Sequence, residues 1–118
     1  MNGRPLISVI MNCYNSDEFL NEAIESVLCQ TYKHFELIFW DNQSTDNSAQ
    51  IIKSYDDERI KYFYASDFTC LGDARNLAVS KAKGEWLAFL DADDLWNEDK
   101  LSKCVDLLNQ STNRESVS

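Results

Sequence analysis

The sequence predicts an α/β protein built on a mostly parallel sheet with helices on both faces. Two observations support this prediction. Short apolar runs typical of strands alternate with segments in which apolar residues recur at helical spacing. The first run is almost continuously apolar, as expected for a strand that is covered on both faces. With 118 residues, the chain is long enough for one small domain and too short for two.

Two strands and two helices are predicted in the first half of the chain. Residues 6–11 form the first strand, and residues 19–28 form the first helix because their apolar side chains lie along one stripe. Polar side chains that can cap this helix precede it at residues 15–17. Residues 35–40 form the second strand, and the polar residues 44–46 open the second helix.

The second half repeats this alternation. Residues 60–64 alternate in polarity as a third strand, and residues 74–82 form a third helix, ended by the Lys-Gly pair that follows. Residues 86–90 are the most apolar segment and form the fourth strand, before a last helix at residues 98–108. This order of elements predicts a Rossmann-like sheet, in which a helix joins each parallel strand to the next.

Composition and length set the domain organisation. Hydrophobic residues make up 44% of the chain and charged residues 26%, which is ordinary usage for a globular domain. We predict one domain at residues 1–108 and a polar, disordered tail at residues 109–118. The chain ends soon after its fourth strand, so we expect it to be the truncated front part of a longer protein.

Charge and cysteine usage exclude several classes of function. Eleven Lys and Arg against twenty Asp and Glu give a net charge of −9, so nucleic acid is not an expected partner. No apolar run approaches the ~20 residues needed to span a bilayer, and the N-terminus lacks a secretory apolar region. The four cysteines are widely spaced and only one histidine is present, which argues against a disulfide scaffold or a thiol metal site. These features predict a cytoplasmic protein with reduced cysteines.

Polar residues collect where three of the predicted strands end. In an open α/β sheet, ligands bind in the crevice at the carboxyl ends of the strands. Polar loop residues are common in any such fold, and taken singly Asn12 is most simply a loop residue. The residues at these three ends are Asn12 and Tyr14 after strand 1, Asp41 and Asn42 after strand 2, and Asp91 and Asp93 after strand 4.

The last of these pairs predicts a metal site. Asp91 and Asp93 are two residues apart, so their side chains can point to the same side of an extended segment. Two adjacent carboxylates repel each other unless a cation or a proton lies between them. Apolar residues on both sides raise that cost by excluding water. Mg²⁺ or Mn²⁺ would relieve the repulsion and would bridge this acidic chain to a diphosphate.

Five sequence blocks occur together in one order. They are SVIMNCYN at residues 8–15, AIESVLCQTY at 23–32, FELI leading into DNQSTD at 35–46, ARN at 74–76 and GEWLAFLDADD at 84–94. With these blocks the chain resembles the family 2 glycosyltransferases of the GT-A fold over residues 6–108. The resemblance implies inverting, metal-dependent transfer from a nucleotide-diphosphate sugar, with UDP-sugars favoured, to a saccharide or lipid-linked acceptor. It further implies bacterial-type surface polysaccharide synthesis, with the whole protein peripheral at the inner face of the cell membrane.

The resemblance also implies roles for the residues at the first two strand ends. Asn12 and Tyr14 match the loop that holds the nucleotide base, and the Tyr14 ring is placed to stack on that base. Asp41 and Asn42 match an acidic pair whose second member hydrogen-bonds the base. In this chain the second member is an asparagine, which weakens the inference about which nucleotide is bound.

The remaining implied roles concern the diphosphate and the metal. Arg75 matches a residue that supports the Asp-x-Asp motif or the diphosphate, although it is also explained as an ordinary surface arginine of its helix. Asp91 matches the residue that meets the ribose or the metal, and Asp93 the direct metal ligand. The catalytic base of the family lies later in the chain, so we expect it beyond residue 118.

Other classes of protein share parts of this pattern. Haloacid-dehalogenase-type phosphatases carry an Asp-x-Asp motif on their first strand, and receiver domains need an acidic pair after strand 1; neither arrangement is present. A non-catalytic nucleotide-binding or assembly module remains the alternative to an enzyme. An exposed sheet edge, or surface uncovered by truncation, would also permit a homo-oligomer.

Overall fold

A four-stranded parallel sheet forms the centre of the computed structural model, which describes residues 5–67, 70–91 and 94–111. The strands are β1 (Ile7–Cys13), β2 (Phe35–Asp41), β3 (Ile60–Tyr64) and β4 (Trp86–Phe89), in the spatial order β3-β2-β1-β4. The helices are α1 (Leu20–Leu28), α2 (Ser48–Lys53), α3 (Leu71–Val79) and α4 (Lys100–Ser111). The predicted α/β class with a parallel sheet is confirmed.

Helices cover both faces of the sheet, as predicted. The larger core lies on the face covered by α1, α2 and α4, and its buried residues include Val9, Leu37, Phe39, Ile24, Ile52 and Leu101. The smaller core lies between the sheet and α3, and it contains Ile10, Ile38, Trp40, Ala65, Ala74 and Ala78. β1 and β2 are central strands with cores on both sides, which explains their continuous apolar runs.

Several element boundaries differ from the prediction. β1 continues two residues further, to Cys13, because the backbone N–H of Asn42 donates to the Cys13 carbonyl at 2.8 Å. Helix α3 starts at Leu71, three residues before the predicted start, and ends at Val79. Helix α4 continues to Ser111, past the predicted end at residue 108, since no glycine or proline interrupts it.

Gly84 does not end a helix as predicted; it lets the chain pass close to β1. A Cβ atom at Gly84 would lie 2.6 Å from the carbonyl oxygen of Leu6 and from Ser8 Oγ. The Gly84 N–H donates to Ser8 Oγ at 2.8 Å, and that hydroxyl donates to the buried carboxylate of Glu36 at 2.6 Å. The Lys83 N–H donates to the same carboxylate at 2.6 Å. This network attaches the entry to β4 to the two central strands.

β4 is an edge strand of the described sheet, and three of its four side chains are exposed. Trp86 is 41% exposed. Leu87 and Phe89 are exposed to a similar degree. Only Ala88 packs against the larger core. The apolar sequence of β4 did not show whether the strand lies at the edge or in the centre of the sheet. No helix among the described residues is long and apolar enough to cross a membrane.

Candidate functional site

The order of the strands creates a crevice at the carboxyl ends of β1, β2 and β4. From β1 the chain moves outward to β2 and β3, then returns to place β4 on the other side of β1. Where the strand order reverses in this way, the loops after the neighbouring strands turn to opposite sides and leave a crevice between them. The Leu90 N–H donates to the Ile10 carbonyl at 3.0 Å, which keeps β1 and β4 aligned one residue past the end of β4. The structure therefore brings the predicted strand ends together.

Asp41 lies at the end of β2 and is completely buried. Its Oδ2 accepts a 2.6 Å hydrogen bond from the Tyr62 hydroxyl, and its Oδ1 accepts a 2.8 Å bond from the Ser44 N–H. Burial, together with the bond to Asp41 and its charge, raises the pKa of Tyr62 well above its ordinary value. Asp41 thus stabilises the loop after β2. Its neighbour Asn42 is 6% exposed and is the next side chain at this strand end.

Asn12 and Trp40 are cross-strand partners near the ends of β1 and β2. In the part of the chain that the structure describes, Asn12 Oδ1 and Trp40 Nε1 are the buried side-chain polar atoms without a hydrogen-bond partner. One is an acceptor and the other carries a donor. Leaving such a group buried and unpaired costs roughly 1–3 kcal/mol. The Trp40 indole packs in the smaller core, stacked on Phe63 with 6.3 Å between the ring centroids.

Tyr14 follows the end of β1, and its side chain is 49% exposed. It lies one residue beyond Cys13, which pairs with Asp41 across the two central strands. The ring is therefore at the surface beside the crevice. The Cys13 thiol is buried, which raises its pKa despite hydrogen bonds from Ser48 and Ser44 that act in the opposite direction. The Cys13 side chain packs in the larger core, and a buried thiol with a raised pKa is a poor nucleophile.

Arg75 and Asp91 lie on the β4 side of the crevice. The guanidinium carbon of Arg75, on α3, is 5.1 Å from the centroid of the Phe89 ring at the end of β4. Asp91 is exposed two residues later, and its carbonyl accepts a bond from the Asp94 N–H at 3.0 Å. β1 pairs with β4 as far as Ile10 and Phe89, so Asp91 follows the last pair of these two strands by two residues.

The second carboxylate of the predicted metal site, Asp93, lies outside the described residues. Within residues 5–67, 70–91 and 94–111, no three His, Cys, Asp or Glu side chains form a cluster that could hold a metal ion. Of the two predicted metal ligands, Asp91 is therefore the one that the structure describes, and its exposed carboxylate is of the kind that Mg²⁺ and Mn²⁺ prefer. The metal site remains a prediction.

Hydrogen bonds join the loops that follow β1 and β2, and sequence analysis missed this connection. It assigned residues 15–17 and 44–46 to helix capping, but the N-cap positions are Phe19 and Asn47, without side-chain cap bonds. The polar side chains connect the two loops, because the Asp17 N–H donates to Asp46 Oδ2 at 3.1 Å. Asp46 also bonds the start of α2, since its Oδ1 accepts from the Ser48 N–H at 2.9 Å. Burial alone would raise the pKa of Asp46, but hydrogen bonds from Ser48 and from Asp17 lower it below the ordinary value. The sequence signal that could have predicted this contact is the presence of Asn, Asp and Ser side chains in both of these loops.

Comparison with known proteins identifies the family. The family model described as glycosyl transferase family 2 matches residues 8–114. The chain belongs to this family. The GT-A-like fold expected from the sequence is confirmed by the structure of S. aureus TarS 1–349 in complex with UDP-GlcNAc, which has a TM-score of 0.84 and 30% sequence identity. The superposition covers 88% of this chain and 31% of the TarS chain.

Two bacterial glycosyltransferases are similar to most of this chain. TuaG of Bacillus subtilis (strain 168), named for teichuronic acid biosynthesis, is 39% identical over 109 residues, which are 91% of this chain and 43% of TuaG. An Escherichia coli protein, UDP-Glc:alpha-D-GlcNAc-diphosphoundecaprenol beta-1,3-glucosyltransferase WfgD, is 37% identical over 103 residues, which are 87% of this chain and 41% of WfgD. The chain thus spans less than half the length of these relatives.

Proposed function

We propose that this chain is the donor-binding part of a glycosyltransferase that takes its sugar from a nucleotide-diphosphate sugar, with UDP-sugars favoured. The observation that carries the proposal is the convergence of three strand ends on one crevice. Asn12, Asn42 and Asp91 belong to these three ends and offer amide and carboxylate groups. Support comes from TarS, which is 30% identical and whose solved structures include complexes with UDP and with UDP-GlcNAc.

In this proposal the base binds at the ends of β1 and β2. The exposed ring of Tyr14 stacks on the base, a contact that contributes about 1–3 kcal/mol for aromatic residues. Asn42 and Asn12 supply the hydrogen bonds, and Asn12 Oδ1 is an acceptor without a partner among the described residues. Asp41 remains assigned to the nucleotide site, because each of its buried carboxylate oxygens accepts one hydrogen bond and keeps a second lone pair. It positions Asn42 and the loop behind it.

The diphosphate binds on the β4 side, with Mn²⁺ or Mg²⁺ held by Asp91 and Asp93. The chain carries a net charge of −9, and a diphosphate adds further negative charge. A divalent cation would neutralise this charge and bridge the carboxylates to the phosphate oxygens. Arg75, whose guanidinium lies over Phe89 at the end of β4, is the nearby cationic side chain that we assign to the diphosphate.

The acceptor is proposed to be a saccharide or a lipid-linked saccharide, with inversion at the transferred sugar. WfgD is named for transfer to a diphosphoundecaprenol-linked sugar, and TuaG for teichuronic acid biosynthesis. These relatives support a role in bacterial surface polysaccharide synthesis. A lipid-linked acceptor would also place the whole protein at the inner face of the cell membrane.

Calorimetric titration tests the proposed function. UDP is expected to bind in Mn²⁺ and to bind at least about tenfold more weakly in EDTA, because the bridging charge is removed. GDP serves as the comparison nucleotide and is expected to bind more weakly than UDP. Equal UDP affinity in Mn²⁺ and in EDTA would contradict the metal bridge. Absence of UDP and GDP binding under both conditions would contradict donor binding as a whole.

A further inference from the structure

We propose that Asn15 is a positioning residue that holds Tyr14 at the nucleotide site by fixing the loop after β1 to the loop after β2. This inference rests on the proposed donor-binding function. Asn15 directly follows Tyr14, so the contacts of Asn15 hold one side of Tyr14 while the end of β1 at Cys13 holds the other. Neither the family match nor the sequence analysis assigned a role to Asn15 beyond helix capping.

The side chain of Asn15 bonds to the other loop rather than to its own helix. Its Oδ1 accepts hydrogen bonds from the Thr45 N–H at 2.7 Å and from the Asp46 N–H at 3.2 Å. In the opposite direction, the Asn15 N–H donates to Ser44 Oγ at 2.9 Å. The residue therefore acts as donor and acceptor towards one short segment, residues 44–46, which is 29 to 31 positions further along the chain.

The next two residues extend this contact. The Ser16 N–H donates to Ser48 Oγ at 3.2 Å. The Oδ2 atom of Asp17 accepts a 3.2 Å hydrogen bond from the Asn47 N–H. The Asp17 N–H donates to the Asp46 carboxylate. Bonds at three successive residues leave the loop after β1 little freedom. Tyr14 lies between this fixed loop and the end of β1.

Backbone geometry supports the same conclusion independently. Asn15 has a φ of 49°, in the left-handed region, where asparagine is tolerated and most residues are strained. Within the described residues, the other non-glycine residue with positive φ is Gln43, at 65°. The Gln43 amide donates to the Ala65 and Ser66 carbonyls at 3.2 and 3.0 Å. Both unusual backbone conformations thus lie in the loops that border the proposed base site, where strain is commonly functional.

A fixed loop increases affinity because the ring does not have to be ordered when the nucleotide binds. An unrestrained loop would lose conformational freedom on binding, and that loss would weaken the complex. The role of Asn15 is therefore indirect: it changes nucleotide affinity only through Tyr14. This dependence separates a positioning residue from one that merely stabilises the fold.

The test is a double-mutant cycle read by UDP titration in Mn²⁺. Asn15→Gly keeps the left-handed backbone accessible but removes the Oδ1 acceptor, and it is expected to weaken UDP binding by about tenfold. Tyr14→Ala is expected to weaken binding by a similar factor. In the Tyr14→Ala background, Asn15→Gly should add less than about twofold, because the ring that it positions is absent. Asn97→Gly is the matched control, since Asn97 is exposed before α4 and outside both loops, and it should leave UDP affinity unchanged.

The outcomes are distinguishable. If the unchanged chain does not bind UDP, the proposed donor-binding function itself is contradicted, and the positioning role fails with it. If the unchanged chain binds UDP and Asn15→Gly binds it equally well, the positioning role is wrong. If Asn15→Gly weakens binding by the same factor with and without Tyr14, Asn15 does not act through the ring and the inference is overturned. If Asn15→Gly does not fold, Ser44→Ala replaces it in the double-mutant cycle, because this variant removes the acceptor of the Asn15 N–H.

Discussion

Asp93→Ala is expected to weaken Mn²⁺-dependent UDP binding by about a hundredfold, because it removes a proposed direct ligand of the cation that bridges to the diphosphate. In the absence of ligand, the same change should leave thermal stability equal or slightly higher. The reason is that Asp91 and Asp93 are both anionic and repel each other when no cation lies between them. Calorimetry measures the affinity, and thermal unfolding without metal or nucleotide measures the stability.

The control for this experiment is Asp106→Ala, which removes the same charge from an exposed position on α4. It should leave UDP affinity within about twofold, since a distant exposed charge is screened at ordinary ionic strength. A large fall in the melting temperature of Asp93→Ala, with its metal-dependent affinity unchanged, would show that Asp93 is a structural residue. The metal site would then have to be sought elsewhere.

Gly84→Ala should destabilise the fold by about 3 kcal/mol, because the added methyl group has no room. Its Cβ would lie 2.6 Å from the Leu6 carbonyl oxygen and 2.8 Å from the Ser8 nitrogen, both of them backbone atoms of or next to a central strand. Relief would require β4 to move away from β1. That movement would break the hydrogen bonds from the Gly84 and Lys83 N–H groups to Ser8 and Glu36. Urea denaturation measures the free energy of unfolding.

Gly72→Ala is the matched control for Gly84→Ala. Gly72 lies in the first turn of α3, and a Cβ atom there would meet nothing within 4 Å. Alanine favours a helix over glycine, so this variant should be more stable by about 0.5–1 kcal/mol. Two Gly→Ala substitutions in one chain are therefore expected to have effects of opposite sign. Equal stability of the Gly84→Ala variant and the unchanged chain would show that β4 does not pass β1 as closely as described.

Local sequence patterns predicted the strands and their burial, because both depend on the order of apolar and polar residues within one segment. The run ISVIM is buried in a central strand of the sheet, as its nearly continuous apolar sequence predicted. The convergence of the strand ends followed from the alternation of strands and helices alone. β3, whose alternation IKYFY was read as a strand, has the predicted bounds Ile60–Tyr64.

Contacts between distant segments were not predictable in the same way. The bond from Tyr62 to Asp41 depends on the register between β3 and β2, which pairs Phe39 with Tyr62. No sequence pattern within either strand specifies that register. Capping propensity was likewise misleading at Asn15, since the same amide that can bond its own helix can bond a neighbouring loop. Gly84 was read as a helix stop because the close approach of β1 is visible only in three dimensions.

The central claim is that a nucleotide binds at the carboxyl ends of β1, β2 and β4. Amide resonances of the isotope-labelled chain, followed during titration with UDP and Mn²⁺, test this location residue by residue. We predict the largest shifts at Tyr14, Asn42 and Asp91. Little change is expected at the amino ends of the strands, around Lys33 and Gly84. Saturable binding with its largest shifts around Lys33 and Gly84, and none at the three strand ends, would contradict the claim.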